Sequence, residues 1–167
     1  MRAGDVVFCL TSGVIGKAIR FGEAIDGKKQ SAFWNHVAIL DRQMPDGDWS
    51  VIQAEAHGVT STGRLSNIAP GGKYEIVKLP IAISRPLFLE FARAQVGAEY
   101  GVLTIASCVF DILLPASVCF RMHNTFICSG LVAAALCYAG YEGSMAWMLD
   151  DVYMTMPSDV YRSLTGA

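Results

Sequence analysis

An unbroken apolar run, Val6-Val7-Phe8-Cys9-Leu10, follows the turn residues Gly4-Asp5 and reads as a strand buried on both faces. Thr11-Ser12-Gly13 can cap a short helix, because Val14, Ile15, Ala18, Ile19 and Gly22 recur at helical spacing. Residues 23–33 are polar and glycine-bearing, and read as a loop. A hairpin comes next, with one strand over His36–Leu40 and the other over Trp49–Ala56. Between them Met44-Pro45-Asp46-Gly47-Asp48 supplies proline and Asp-Gly turn chemistry. From Gly58-Val59 the chain is expected to run as a loop until a further strand at Tyr74–Leu79.

The second half is helical in pattern. Pro86–Val96 has proline near its first turn and Gly97 as a stop. Phe126–Tyr138 is a second helix closed by Gly140, with Asn124 and Thr125 able to cap it. Met156–Tyr161 suggests a short terminal helix. Strands first, with helices flanking and following them, predict an α+β fold with an antiparallel sheet.

Composition narrows the function classes. The chain has 167 residues, a length that fits one domain over 1–167. It is 53% hydrophobic and 17% charged, which implies a large core, a covered surface or an apolar ligand. Net charge is −2 and Lys and Arg form no stripe, so nucleic acid is not an expected partner. Val102–Phe120 is strongly apolar, with a single charge at Asp111 and a proline at Pro115. A charge at the centre of a spanning helix costs roughly 2.5–3.5 kcal/mol. The segment therefore reads as a buried or partner-covered helix, and leaves a membrane, protein or oligomer contact through residues 102–120 open. No secretory h-region is visible at the start, so a cytoplasmic chain, or one delivered by another route, is expected. The five cysteines, Cys9, Cys108, Cys119, Cys128 and Cys137, have neither disulfide-framework nor zinc spacing, and no metal or other cofactor is expected.

Among these cysteines Cys128 stands apart, at the first turn of a helix. Backbone N–H groups and the helix dipole there favour an anion and lower a thiol's pKa. Leu131, Val132, Ala135 and Leu136 follow at helical spacing, so the sulfur shares the face that packs on the sheet. His36 opens a strand that is otherwise apolar. His57, at a strand end, and His123, in the loop before Cys128, are weaker candidates. A third group would orient an imidazole base. Across the hairpin His36 faces roughly residues 53 to 55, and Gln53 and Glu55 share a face by period two. The register leaves both open. Each residue alone also fits an ordinary buried cysteine or a structural histidine.

Their joint order is more specific. Gly4-Asp5-Val6-Val7-Phe8, Asn35-His36-Val37-Ala38-Ile39, Val51-Ile52-Gln53-Ala54 and Cys128-Ser129-Gly130-Leu131-Val132 resemble four signatures of the NlpC-type papain-like superfamily. Ordinary members place the cysteine helix first. Here it comes last, which resembles the circularly permuted branch that includes the YiiX-like proteins and the lecithin retinol acyltransferase relatives. The resemblance implies a permuted papain-like fold, with Cys128 as nucleophile and His36 as base. It places the third residue on Gln53, where many relatives carry Glu or His, and keeps Glu55 as the alternative. Gly97-Ala98-Glu99-Tyr100 resembles a Gly-x-x-Tyr element of permuted relatives, which implies that Tyr100 lines the substrate site. The implied activity is hydrolysis of amide bonds in peptidoglycan-type cell-wall peptides through a Cys128 thioester. Lipid acyl hydrolysis or transfer is the first alternative. The second is a catalytically weak module that binds or builds within a larger assembly.

Overall fold

The computed structural model describes residues 1–11, 33–100, 125–141 and 155–166, with only the backbone considered at Tyr100 and Thr125. The expected helix after Thr11, the loop over 23–32, the apolar 102–120 segment, His123 and Asn124 lie outside them, as do Cys108 and Cys119.

Within the described residues the protein is α+β, built on a five-stranded antiparallel sheet. Its strands are β1 (Val6–Cys9), β2 (His36–Gln43), β3 (Trp49–Glu55), β4 (Gly58–Arg64) and β5 (Tyr74–Val77). They lie in the order β4-β3-β2-β1-β5. Every residue of β1 is buried, as expected for a central strand covered on both sides. Alternate side chains divide between two apolar clusters. Val6, Phe8, Val37, Ile39, Ile52 and Ala54 belong to the larger. Val7, Cys9, Ala38, Leu40 and Val51 meet Leu65 and Ala69 in the smaller.

Three helices contribute to the larger cluster. They are α2 (Arg85–Ala94), α3 (Cys128–Tyr138) and α4 (Pro157–Thr165), while the one-turn α1 (Leu65–Ile68) serves the smaller one. Helix α3 lacks a polar face. Leu131, Val132, Ala133, Ala135 and Leu136 are all fully buried, so it runs as a core helix. It stops in a Schellman arrangement, with Tyr141 N–H donating to Leu136 O at 3.0 Å and Gly140 N–H to Cys137 O at 3.1 Å. That turn requires a left-handed residue, and Gly140 has φ +83°.

Four expectations change. The segment from Gly58 is a strand, β4, rather than a loop. Its Thr60, Ser61 and Thr62 read as loop chemistry, but this is an edge strand that tolerates polar side chains. Its outer edge is partly occupied, since Val59 N–H donates to Ala98 O and Gly97 N–H to Val59 O. Helix α3 begins at Cys128 rather than Phe126. Phe126 pairs in parallel with Tyr100, joining β7 (Thr125–Phe126) to β6 (Glu99–Tyr100). The extended N-cap is then Ile127, with no side-chain cap, so Thr125 does not cap the helix. Strand β2 runs on to Gln43 past a bulge, and α4 continues to Thr165. The β2 bulge leaves Asp41 as an extra residue between the Leu40–Val51 and Arg42–Ser50 pairs, and Asp41 accepts from Arg93 of α2 at 2.8 Å.

At the entry to β1, Asp5 is buried and fully engaged. Its Oδ2 accepts from Arg2 N–H at 2.8 Å and its Oδ1 from Arg85 Nη1 at 2.9 Å. The same Arg85 nitrogen also donates to Ala3 O at 2.7 Å, tying α2 to the start of the sheet. Arg85→Met would strand that carboxylate. Breaking a buried pair costs about 3–5 kcal/mol, and the 31% exposure of the Arg85 side chain reduces this here. We expect a loss of about 2–3 kcal/mol, seen calorimetrically as a melting point lower by roughly 4–10 °C. An unchanged melting point would mean that the pair contributes nothing.

Candidate active site

Cys128 is the first residue of α3 and His36 the first of β2. Burial of α3 against the sheet brings these two ends together, and the Cys128 thiol and His36 ring are hydrogen-bond partners. The other side of the ring is held by β3, where His36 Nε2 lies 2.8 Å from Gln53 Oε1. An amide oxygen only accepts, so Nε2 carries a proton and donates to it. That leaves Nδ1 as the ring nitrogen that meets the sulfur. Cysteine, histidine and glutamine therefore form one chain of contacts.

Electrostatics follow from this order. Burial alone would push the Cys128 thiol up, but the hydrogen bond and positive charge of His36 outweigh it. The backbone N–H groups of Val37 and Ser129 add to the effect by pointing at the sulfur, and the thiol ends below its ordinary value. His36 shows the mirror image. Burial would lower its proton affinity, yet contact with the Cys128 thiolate and acceptance by Gln53 raise it. Both shifts act in the direction of a thiolate–imidazolium pair, and the titration belongs to the two groups together.

The other two described cysteines behave as expected of buried thiols. Cys9 pairs directly with His36 across β1 and β2, and burial, reinforced by the Cys128 charge, pushes it up to about 12. Cys137 is half-buried, and burial raises it too. Cys9 therefore supplies packing next to the pair and keeps its proton.

Glu55 and Gln53, the two candidates for the third position, end in different places. Gln53 is buried and holds the ring, whereas Glu55 is exposed at the end of β3, with Thr60 Oγ1 at 3.5 Å. Glu55 reaches His36 only as a distant charge that slightly favours the protonated ring. His57 is exposed in the turn after β3. Tyr100 lies in β6, paired with Phe126 two residues before Cys128. Among the described residues no His, Cys, Asp and Glu cluster could hold a metal. None of the described helices is long and apolar enough to cross a membrane.

Two supporting residues were not singled out from the sequence. Asn35 is buried and clamps Thr11, two residues past β1, accepting from Thr11 N–H at 2.7 Å and donating to Thr11 O at 2.8 Å. Its own N–H reaches Cys9 O at 3.4 Å, so the backbone just before His36 is pinned from both sides. A polar residue beside an apolar strand was the available signal. The Ser129 hydroxyl donates to Thr155 O at 2.5 Å and anchors the first turn of α3. No protein-family model matches the chain, and no curated protein matches its sequence significantly.

The pair predicts a labelling order. Cys128 is only 2% exposed, so a small reagent is needed. Iodoacetamide should modify Cys128 before Cys137 and Cys9 at neutral pH, as read by peptide mass spectrometry. Its rate should rise with a midpoint below the ~8.5 of a free cysteine. His36→Ala should move that midpoint up. Slow, equal labelling of all three would show that the pair is not ionised.

Proposed function

We propose that this chain is a cysteine hydrolase of the circularly permuted, NlpC-type papain-like class, acting on amide bonds of cell-wall peptides. The observation that carries the reading is the Cys128–His36–Gln53 chain at the junction of a helix N-terminus and a sheet. An antiparallel sheet whose strands all precede the cysteine helix is compatible with the permuted topology. The close match of Cys128-Ser129-Gly130-Leu131-Val132 to the wall-peptidase form favours a peptide substrate over a lipid.

The Cys128 thiolate attacks the amide carbonyl, forming an S–C bond while the C=O π electrons move to oxygen. The first amides of a helix have no intrahelical acceptor, so the Cys128 N–H is a suitable donor to that oxyanion. His36 then passes its Nδ1 proton to the amide nitrogen as the C–N bond breaks. An amine leaves and a thioester remains. Water enters, gives a proton to the now neutral ring and attacks the thioester carbon. The carbonyl reforms as the C–S bond breaks, the acid departs, and the sulfur leaves as a thiolate beside the ring that now holds the water's proton, which restores the thiolate–imidazolium pair. Gln53 keeps the Nε2 proton in place throughout and so fixes which nitrogen does the work.

The test is turnover of muropeptides by the purified protein. Cys128→Ala should abolish cleavage, a loss of at least about 10³-fold. Gln53→Ala should lower kcat about ten-fold or more through misorientation of the ring, and Glu55→Gln should change it little. The pH profile of kcat/KM should be bell-shaped. Activity rises as Cys128 loses its proton, below the ordinary thiol range, and falls as His36 loses its own, above the ordinary imidazole range. Cys128-dependent turnover of acyl esters on liposomes, with muropeptides left intact, would instead support the lipid reading.

A further inference from the structure

Gly63 lies in β4, opposite Val51 of the neighbouring strand. A glycine inside a strand costs about 0.5–1 kcal/mol relative to alanine, so its presence calls for a reason. Backbone conformation does not supply one. Gly63 is absent from the positive-φ glycines, which leaves its backbone open to any residue. Space does supply one. A Cβ at position 63 would lie 2.8 Å from Gln53 Nε2 and 2.9 Å from Val51 Cγ2, both inside contact distance.

The close approach comes from a bulge. Gln53 pairs with Thr60 and Val51 with Gly63, so the single residue Ile52 faces two, Ser61 and Thr62. The extra residue moves the β4 backbone against the carboxamide that holds His36. Relief of a methyl group at 63 has one inexpensive route. Val51 is short, β-branched and fully buried, with little freedom to turn. Gln53 has a long flexible arm, and its carboxamide would swing instead, taking Oε1 off His36 Nε2.

We infer that Gly63 is a positioning residue for the Cys128–His36 pair, acting through Gln53 by leaving room for its carboxamide. The inference rests on the thiolate reading above, and its test uses the thiol itself rather than any substrate. The Cys128 alkylation rate is followed against pH in wild type, Gly63→Ala, Gln53→Ala and the double variant, each shown folded by circular dichroism. Loss of the Gln53 acceptor destabilises the imidazolium, which in turn destabilises the thiolate, so the sign is upward. Gly63→Ala should raise the midpoint by about half a pH unit or more, towards the Gln53→Ala value. In the Gln53→Ala background the same change at 63 should have no further effect. If Gly63→Ala loses its fold, the same cycle built on Val51→Ala removes the second obstructed atom and is read by the same criterion. A Gly63→Ala profile that superimposes on wild type overturns the inference, as does an equal shift in both backgrounds. Wild-type Cys128 labelling no faster than Cys137 is a distinguishable failure. It removes the thiolate reading itself, and the inference with it.

Discussion

Helix α3 has no polar face to offer to water, so it must be enclosed along most of its length. Its Leu131, Val132, Ala135 and Leu136 pack with Val37, Ile39 and Ile52 of the sheet in one cluster. Small residues, Gly130 and Ala133 to Ala135, allow its backbone to approach closely. A helix fixed in this way has its N-terminus fixed as well. The sulfur at its first residue is carried to the start of β2, where the Val37 amide and the His36 ring are its neighbours. An apolar contact, worth nothing to chemistry by itself, thus sets the position of the one described thiol whose pKa is lowered.

Charge at that position is expensive, because burial opposes both the thiolate and the imidazolium. Each ion is favoured only because the other is present and because neutral dipoles complete the shell. Two backbone amides face the sulfur, and one amide oxygen faces the ring. The same burial acts on Cys9, directly opposite His36, with the reverse result. It has no cation of its own and feels the Cys128 charge as repulsion, so it stays protonated. Two cysteines around one histidine are therefore shifted in opposite directions by their surroundings, Cys128 down and Cys9 up.

Much of this was legible in the chain. The Val6–Cys9 run, the His36 hairpin with its Pro-Asp-Gly turn and the Cys128 face all carry periodicities that survive without tertiary information. The parts that were not legible depend on such information. β4 was hidden because Thr60, Ser61 and Thr62 are polar, and only the sheet edge makes that acceptable. The start of α3 was misplaced because Phe126 and Ile127 continue an apolar pattern, whereas Phe126 is drawn off to pair with Tyr100. Gln53 and Glu55 could not be separated because they share a face. Choosing between them needs the twist and register of strands, which no local pattern encodes.

The neutral third residue clarifies which property of that position matters. A carboxylate would add charge to its hold on the ring, whereas Glu55 is exposed and reaches it only as a weak charge effect. The Gln53 carboxamide brings only direction. Direction is also what the surroundings protect. Asn35 clamps the backbone just before His36, Gly63 leaves space beside the Gln53 amide, and a bulge brings β4 to that spot. A group that acts by charge tolerates a loose fit, since Coulomb energy falls slowly with distance. A group that acts by a single hydrogen bond does not, because that bond weakens steeply with angle. Tight walls around a neutral amide are thus what its chemistry demands. With a glutamate at that position, the same walls would matter less.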